Sequence, residues 1–302
     1  MPNALVVADD LTGAMDTGHG FAARGRAVRV RRAAGGDAID TDAAGADAAG
    51  ETLDPDGGDV LVVDTDSRDA APAVAAAAVA RAVDAAPADL VYKKVDSTLR
   101  GNVVAEVDAA LGGTEADLAV VAPAFPATGR TTEDGRHLVD GTPLSDAGYG
   151  VAESDLREVF GRSEHAVARL DAETADAGAE RVADRLAAAA TGDGPTLVVC
   201  DALTDAHLAA LAEGAASLAE PPLYVGSGGL AAHVTVPGRP PDGATGVGSP
   251  ADGAASDRRR SGALGVVGSV NERTLAQLAA VEDDRVVALD PAAAATDPDA
   301  AG

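Results

Sequence analysis

The sequence predicts an α/β protein: a three-layer sandwich with a mainly parallel sheet, followed by an incomplete second α/β domain. Short, unbroken Val/Leu runs recur along the chain, which is typical of strands buried on both faces. Ala-rich stretches of helical length separate these runs, as in alternating βα architectures. Aromatic residues make up only 2% of the chain and Trp is absent, so the core has to be built from Val, Leu and Ala.

The individual elements follow from those runs in chain order. We predict strands over Leu5–Ala8, Ala27–Arg31, Val60–Asp64, Leu90–Lys94, Leu118–Ala122, His165–Leu170, Thr196–Cys200 and Leu223–Val225. We predict helices over Gly13–Arg24, Ala70–Ala86, Asn102–Leu111, Ser154–Phe160, Thr174–Ala190 and Thr204–Ala216. Residues 33–59, rich in Ala, Gly and Asp, lack a strong period and are expected to form a surface loop. The single cysteine, Cys200, ends an apolar run and is predicted to be a buried thiol.

The chain divides by composition into three parts. Residues 1–233 are predicted to form the first domain, and residues 234–261, rich in Pro and Gly, a linker. Residues 262–302 carry one strand–helix–strand pattern and are predicted to begin a second domain. One such unit buries too little surface to stand alone. We therefore expect it to dock on the first domain or to be the start of a domain that is cut short.

Charge excludes several classes of partner. With 23 basic and 49 acidic residues, the formal net charge is −26, which argues against a nucleic-acid partner and against an anionic membrane surface. We find neither a secretory signal nor an apolar run of about 18 residues, so we expect a cytoplasmic protein. Abundant Asp, Glu and Ala with almost no Lys is a haloarchaeal-like composition, and we hypothesise a salt-adapted source.

Polar residues follow several predicted strands, where ligands gather in open parallel sheets. Asp9 and Asp10 follow the first strand, and paired carboxylates there suit either Mg²⁺ or deprotonation of a hydroxyl; ordinary helix capping is the alternative. The chain's only two lysines, Lys93 and Lys94, end the fourth strand. The other candidates around these ends are Asp66, Ser67, Arg68, Asp96, Ser97, Thr98, Arg100, Gly101, Asn102 and Arg130. Together they predict a pocket for a small, hydroxylated anion. His137, in the long loop after the fifth strand, is expected at the surface.

Two glycine-rich turns add candidate anion sites. The turn at Gly226–Gly229 either cradles phosphate or is simply tight, and both interpretations stay open. Gly268, Ser269 and Asn271 precede a predicted helix, whose N-terminus favours anions. "GK" never occurs, so a Walker A motif is excluded.

The segments "ADDLTGAMDTG", "DTDSR", "YKKVDSTLRGN", "VVAPAFPATGRTTEDGRHLVDG" and "VVGSVNERTLAQL" together resemble the four-carbon acid sugar kinase family, formerly DUF1537. Members phosphorylate threonate, erythronate and 3-oxo-tetronate-type acids with ATP. The similarity runs from Asp9 to about Leu278. It implies that an N-terminal α/β domain binds the sugar acid, through Asp10, Asp66, Arg68, Lys94, Asp96, Ser97, Arg100, Gly101 and Asn102. It also implies that a C-terminal domain contributes most of the ATP site, including Ser269.

The resemblance implies phosphoryl transfer that depends on ATP and Mg²⁺, with no metal ligand assigned. Asp10 is expected to orient or deprotonate the attacking hydroxyl. Lys94 and Arg100 are expected to fix the substrate carboxylate or to neutralise the phosphoryl group. The residues expected to bind the sugar acid are Asp9, Asp66, Ser67, Arg68, Lys93, Asp96, Ser97, Thr98, Gly101, Asn102 and Arg130. The residues expected to bind ATP are Gly268, Ser269 and Asn271.

The chain departs from the family pattern in its C-terminal part. The family's second domain continues to a GG-x-T nucleotide loop that does not occur in this sequence. We expect a C-terminal truncation, and as a partner either a second copy in a homo-oligomer or a separate chain that supplies the missing nucleotide-binding segment. A second interpretation is a sugar-acid-binding protein that needs a partner chain for ATP. A third is a Mg²⁺-dependent phosphatase, which would require a second Asp where Leu11 stands.

Overall fold

The computed structural model describes residues 1–33, 60–190, 192 and 194–238. Its strands are β1 Ala4–Ala8, β2 Val28–Arg32, β3 Val60–Asp64, β4 Leu90–Lys94, β5 Leu118–Ala122, β6 Arg130–Glu133, β7 Arg136–Val139, β8 Thr142–Pro143, β9 Ala166–Leu170, β10 Thr196–Cys200 and β11 Leu223–Gly226. Its α-helices are α1 Leu11–Ala23, α2 Pro72–Ala85, α3 Val103–Gly112, α4 Leu156–Phe160, α5 Ala172–Asp176, α6 Ala179–Ala189, α7 Asp205–Ala216 and α8 Gly228–Ala231.

Eight of these strands form one sheet in the order β2-β3-β1-β4-β11-β5-β10-β9. Every strand pair in this sheet is parallel. The predicted fold class is therefore confirmed for the described part of the chain. In the register of the sheet, Ala8 of β1 pairs with Asp64 of β3 and with Lys94 of β4. The polar segments that follow these three strands consequently leave the sheet side by side.

Helices cover both faces of the sheet because its strand residues alternate between two apolar clusters. Ala4, Val6 and Ala8 of β1 belong to one cluster, which also contains Phe21 of α1 and residues of α6, α7 and α8. Leu5 and Val7 belong to the other, together with residues of α2, α3 and α4. Side chains on both faces of β1 are fully buried, which explains its unbroken apolar sequence. Cys200 is buried, as predicted.

The loop after β5 differs from its prediction. It contains a small antiparallel sheet, β6-β7-β8, instead of irregular chain. Asp134 and Gly135 join β6 to β7, and Asp140 and Gly141 join β7 to β8, all four with positive φ. Two consecutive residues with positive φ form the turn that suits a tight β-hairpin, and Asp-Gly is a preferred sequence for it. The two Asp-Gly pairs are therefore the sequence signal that predicts these two turns.

The remaining predicted elements agree with the structure to within a few residues, apart from one helix. The single helix expected over Thr174–Ala190 is two helices, α5 and α6, separated at Gly178, where φ is 95°. Most of the expected surface loop, nearly all of the linker and the whole second domain lie outside the described residues. None of the helices in the described ranges has the length and apolarity to cross a membrane. The cytoplasmic location and the salt-adapted source stay predictions.

Candidate functional site

The carboxyl ends of β3, β1 and β4 bring charged side chains from three segments into one cluster. We call it the strand-end cluster, and it consists of Asp9, Asp10, Arg68, Lys94, Asp96 and Arg100. Asp9 and Asp10 follow β1, Arg68 lies in the loop after β3, and the other three end or follow β4. Ion pairs and hydrogen bonds link most of these groups directly.

Arg68 lies at the centre of the cluster. Its Nε and Nη2 donate to the two carboxylate oxygens of Asp9 at 2.7 and 3.0 Å, and Nη1 and Nη2 donate to those of Asp10, both at 2.9 Å. A carboxylate oxygen of Asp96 is 3.8 Å from Nη2. Burial alone would lower the pKa of Arg68, but the hydrogen bond that Arg68 donates to Asp9 and the charges of the three carboxylates raise this pKa above its ordinary value.

The guanidinium of Arg68 therefore neutralises the paired carboxylates that the sequence offered as a Mg²⁺ site. Within residues 1–33, 60–190, 192 and 194–238, no group of three or more His, Cys, Asp or Glu is arranged to hold a metal ion. Asp10 also caps α1, accepting the Gly13 backbone N–H at 2.9 Å. A side chain at position 13 would place its Cβ 2.6 Å from the Asp10 carboxylate, so this cap requires glycine.

Asp96 organises the turn after β4. It accepts bonds from Nε and Nη2 of Arg100 at 2.7 and 2.9 Å, and from the backbone N–H and hydroxyl of Thr98. Burial by itself would raise the pKa of Asp96, but the bonds from Arg100 and Thr98 and the charge of Arg68 hold it well below the usual range. Arg100 keeps 47% of its side chain exposed, so it can meet a ligand while it holds Asp96.

The two adjacent lysines point to opposite faces of the sheet, as successive strand residues must. Lys94 faces the cluster, and its Nζ donates to the Val95 carbonyl at 2.9 Å. Burial lowers the pKa of Lys94, and the charges of Asp9 and Asp96 partly offset that effect. Lys93 has no exposed surface and forms an ion pair with Glu106 of α3, 2.9 Å from Nζ to Oε2. The expectation that both lysines line the pocket is therefore corrected: Lys93 lies beneath it.

Several predicted substrate contacts instead hold the loops together. The Ser67 hydroxyl is buried and donates to Glu106 at 2.6 Å. The Thr98 hydroxyl is buried and donates to Asp96. Asn102 donates through its amide to the Ser67 and Ala70 carbonyls at 3.1 and 2.9 Å, which ties the β4 loop to the β3 loop. For Ser67 and Thr98 the buried hydroxyls correct the expectation of direct contact.

Gly101 has φ of 89°, and a Cβ there would lie 3.2 Å from an Asp9 carboxylate oxygen. Backbone conformation and close approach therefore both favour glycine at this position. Asp66 lies at the rim of the site, with 64% of its side chain exposed, and pairs with Arg32.

His137 joins the small sheet to the site, and it is buried rather than at the surface as expected. Its Nε2 donates to the Ser97 carbonyl at 2.8 Å, so its Nδ1 accepts from the Thr132 hydroxyl at 3.0 Å. Burial lowers the pKa of His137, with the Ser97 bond as a smaller opposing effect. Ser97 thus contributes its carbonyl to the anchoring of β7, while its side chain remains half-buried.

Arg130 begins β6, and its side chain donates hydrogen bonds to groups outside the strand-end cluster. Nη1 donates to the Thr128 carbonyl, and Nη2 donates to the Tyr149 hydroxyl at 3.1 Å. The guanidinium also lies 5.9 Å from the centre of the Tyr149 ring. The structure therefore does not bring Arg130 into the cluster with the other candidates.

The glycines of the turn after β11 serve close packing. A Cβ on Gly226 would lie 2.7 Å from the Tyr92 hydroxyl, and one on Gly229 would lie 2.4 Å from the Ala124 carbonyl. The Ser227 hydroxyl donates to that same carbonyl at 2.9 Å. Of the two interpretations of this turn, the geometry favours the tight turn. The proposed ATP contacts Gly268, Ser269 and Asn271 lie outside the described residues.

Sequence reasoning missed Glu106, although a signal existed. On α3 the buried residues Val103, Val107, Ala110 and Leu111 mark the face toward the sheet, and Glu106 falls on that face. A carboxylate on the apolar face of a helix needs a buried partner, because an unpaired buried charge is strongly destabilising. Together with an unusual lysine in a buried strand, this position predicts an ion pair.

Comparison with known proteins gives consistent results. A family model described as the sugar-binding N-terminal domain matches residues 4–234. A D-threonate kinase of Cupriavidus necator is 40% identical over 243 residues, which cover 77% of this chain and 54% of the relative. A D-threonate kinase of Salmonella typhimurium is 33% identical over 285 residues, covering 91% of this chain and 59% of the relative. Other relatives, at 34% and 33% identity, are named D-erythronate kinase and 3-oxo-tetronate kinase.

A solved structure from Bordetella bronchiseptica agrees with the fold. It is a DUF1537 domain with bound citrate, a domain-swapped dimer, and it matches with a TM-score of 0.63 at 38% identity. The match covers 77% of this chain and 55% of that one. The chain thus spans little more than half the length of the relatives it matches.

Proposed function

Since the chain belongs to the four-carbon acid sugar kinase family, we propose that it takes part in ATP-dependent phosphorylation of a hydroxyl on a four-carbon sugar acid. The strand-end cluster is the proposed site for that acid. Threonate, erythronate and 3-oxo-tetronate are the candidate substrates, because relatives with these three kinase names match the chain.

The observation that carries this proposal is the mixture of charges at one edge of the sheet. Lys94, Arg68 and Arg100 lie among the carboxylates of Asp9, Asp10 and Asp96. A sugar acid presents one carboxylate and several hydroxyls, so it needs cations for the first and acceptors for the second. Citrate, which the Bordetella relative holds, is also a hydroxylated carboxylate, and this supports the same class of ligand.

We assign the role of orienting or deprotonating the reactive hydroxyl to Asp10. Its side chain is 26% exposed, whereas that of Asp9 is 3% exposed, so Asp10 is the member of the pair that a ligand can reach. Arg68, which also pairs with Asp9, donates to both carboxylate oxygens of Asp10 and so fixes its position. Lys94 and the partly exposed Arg100 then neutralise the substrate carboxylate or the transferred phosphoryl group.

ATP is the proposed phosphoryl donor, with Gly268, Ser269 and Asn271 as its proposed contacts. Mg²⁺ bound with the nucleotide would neutralise the charge of its phosphates. Because Arg68 already pairs with both Asp9 and Asp10, we assign no metal-binding role to these carboxylates.

The test is an ATP-consumption assay of the purified chain in molar salt, with D-threonate, D-erythronate and 3-oxo-tetronates as acceptors. We expect turnover with at least one acid. We also expect Asp10→Asn to lower kcat/KM by more than about tenfold, equivalent to roughly 1.4 kcal/mol of transition-state stabilisation. Asp184→Asn, which removes an exposed carboxylate from α6, is the matched control and should leave turnover unchanged. An Asp10→Asn variant within tenfold of the parent would remove Asp10 from this role.

A second candidate function is a sugar-acid-binding protein that needs a partner chain for ATP. It is favoured by one observation: the family model that matches residues 4–234 is described as a sugar-binding N-terminal domain. Calorimetry separates the two, since binding of a tetronate without binding of ATP supports this candidate. Turnover by the purified chain alone excludes this candidate.

A homo-oligomer is also proposed, because the Bordetella relative is a domain-swapped dimer. Light scattering of the purified chain tests the oligomeric state.

A further inference from the structure

A buried polar network lies directly beneath the strand-end cluster. Its centre is the ion pair between Lys93 and Glu106, whose residues are 0% and 2% exposed. The Lys93 ammonium has partners for all three of its N–H bonds: Glu106 Oε2 at 2.9 Å, the Lys94 carbonyl at 2.7 Å and the Val7 carbonyl at 3.4 Å. The bond to the Val7 carbonyl is long, but it joins Lys93 of β4 to β1 and so links these two strands.

The other oxygen of Glu106 continues the network into the β3 loop. Oε1 accepts the Ser67 hydroxyl at 2.6 Å, and the Ser67 and Thr65 hydroxyls are 2.7 Å apart. Both carboxylate oxygens of Glu106 therefore have partners. The network is complete within the described residues that form it, which is the condition under which buried polar groups specify a single arrangement.

Each branch of the network ends next to a member of the cluster. The Val7 carbonyl lies two residues before Asp9, and the Lys94 carbonyl belongs to a cluster residue. Ser67 immediately precedes Arg68, and the backbone N–H groups of Ser67 and Arg68 both donate to the Asp9 carbonyl, at 3.0 and 3.2 Å. One buried ion pair thus holds the ends of β1, β3 and β4 in a fixed mutual arrangement.

Stability alone does not account for this ion pair. Replacing a buried ion pair by apolar residues of similar volume is often neutral or stabilising, because desolvation offsets the attraction between the charges. What apolar residues cannot supply is directional bonding to three separate segments. We propose that Lys93 and Glu106 are positioning residues that set the affinity of the strand-end cluster for its ligand. This inference rests on the proposed function only for the identity of that ligand.

The test replaces the pair as a unit with Lys93→Met/Glu106→Leu in the full chain. Thermal unfolding measures stability, calorimetry measures the Kd for D-threonate and D-erythronate, and hydrogen exchange measures the protection of residues 65–70 and 95–102. We expect an unfolding temperature at or above that of the parent, a Kd at least tenfold weaker and faster exchange in both segments. Ser67→Ala, which removes the link between Glu106 and the β3 loop together with the hydroxyl contact to Thr65, should weaken the Kd at least threefold.

Arg169→Met is the matched control for loss of a charged anchor. Arg169 pairs with Asp201 at 2.7 Å at the far edge of the sheet, on β9, and has no bond to the cluster among those the structure describes. This variant should unfold at a lower temperature and keep the parent's Kd. A loss of affinity that merely follows global stability would therefore appear in Arg169→Met rather than in the double variant.

The outcomes separate this inference from the proposed function. If the parent binds a tetronate and the double variant keeps both its Kd and its loop protection, the positioning role is overturned. If the parent binds no tetronate, the proposed ligand is wrong. Faster hydrogen exchange in the two loops of the double variant would then still support the positioning role of Lys93 and Glu106, and unchanged exchange would refute it. If the double variant does not fold, Ser67→Ala decides by the same two measurements.

Discussion

At the scale of single residues, Arg68 determines what the paired aspartates can do. The adjacent acids in "ADD" were compatible with a metal site, with helix capping or with a base. The structure places a guanidinium against both of them, which a reading of either segment alone does not reveal. Asp9 and Arg68 are 59 positions apart in the chain, so their contact depends on the order of strands in the sheet.

Arg68→Met should destabilise the protein strongly. The substitution leaves Asp9, 2% exposed, without its main counter-charge, and losing one partner of a buried pair costs about 3 kcal/mol or more. Denaturant unfolding at neutral pH measures the loss. Arg68→Lys retains the charge but not the planar guanidinium that reaches two carboxylates. Its free energy of unfolding should therefore lie between those of the parent and Arg68→Met. A loss below about 0.5 kcal/mol for Arg68→Met, the range of ordinary surface changes, would contradict this assignment.

His137 makes stability depend on pH with a definite sign. Its pKa is lowered in the folded protein, so the unfolded chain binds the proton more readily. The stability that His137 contributes is therefore complete above its ordinary pKa of 6.5 and declines as the pH falls toward the lower folded value.

We expect His137→Gln to weaken this pH dependence. Between about pH 7.5 and about pH 5.5 the free energy of unfolding should fall more for the parent than for the variant. Other titrating groups are shared by both proteins, so the difference isolates His137. Equal losses over this interval would show that burial does not hold the imidazole neutral.

At the scale of elements, local pattern predicted most of the fold. Strands β1, β3, β5, β10 and β11 of the large sheet are short, mainly apolar runs whose residues are all buried, and this pattern is visible without tertiary information. The edge strand β2 alternates Val with Arg and has no buried residue. The antiparallel sheet of β6 to β8 was missed because its strands are short and polar. The Asp-Gly pairs at 134–135 and 140–141 would have predicted its two turns. The break at Gly178 was missed because a single glycine inside an Ala-rich stretch is a weak signal.

Site geometry was less predictable than the elements. The sequence indicated which segments meet, because parallel strands end at one edge. Glu106 on the apolar face of α3 could have indicated a buried ion pair with a lysine, but not which of Lys93 and Lys94 forms it, because that depends on which face of the sheet α3 covers. Nor could the sequence separate the buried hydroxyls of Ser67 and Thr98 from groups that reach a ligand.

The turn after β11 gives a prediction about packing. Gly229→Ala should destabilise by about 1–3 kcal/mol, because the added methyl would meet the Ala124 carbonyl at 2.4 Å and the backbone would have to shift. Gly112→Ala is the control, since nothing lies within 4 Å of the added carbon and α3 should gain up to about 1 kcal/mol. Thermal unfolding of both variants measures the contrast. Similar changes in unfolding temperature for the two variants would show that the turn accommodates a methyl group at Gly229 without strain.

At the scale of the whole molecule, the acidic excess predicts dependence on salt. A net charge of −26 destabilises the compact state because like charges repel one another. Salt screens this repulsion, and the screening length falls from about 10 Å at 0.1 M salt to about 3 Å at 1 M. We expect the unfolding temperature to rise steeply as NaCl increases to about 1 M and then to level off, since further screening adds little.

An uncharged solute provides the control for that measurement. Sucrose stabilises proteins by exclusion from their surface and does not screen charge. It should produce a smaller rise than NaCl at low ionic strength. An unfolding temperature that does not respond to salt would refute the salt-adapted interpretation of the composition.

The position of β11 has a consequence for how the chain is made. This strand comes last among the described strands, yet it lies between β4 and β5 in the middle of the sheet. Until Gly226 has left the ribosome, the half containing β1 to β4 and the half containing β5, β9 and β10 each have an open inner edge. Closing the gap requires contacts between segments far apart in sequence, which form slowly and leave nascent chains prone to aggregate. Synthesis products that stop before Leu223 should therefore be the species that chaperones retain.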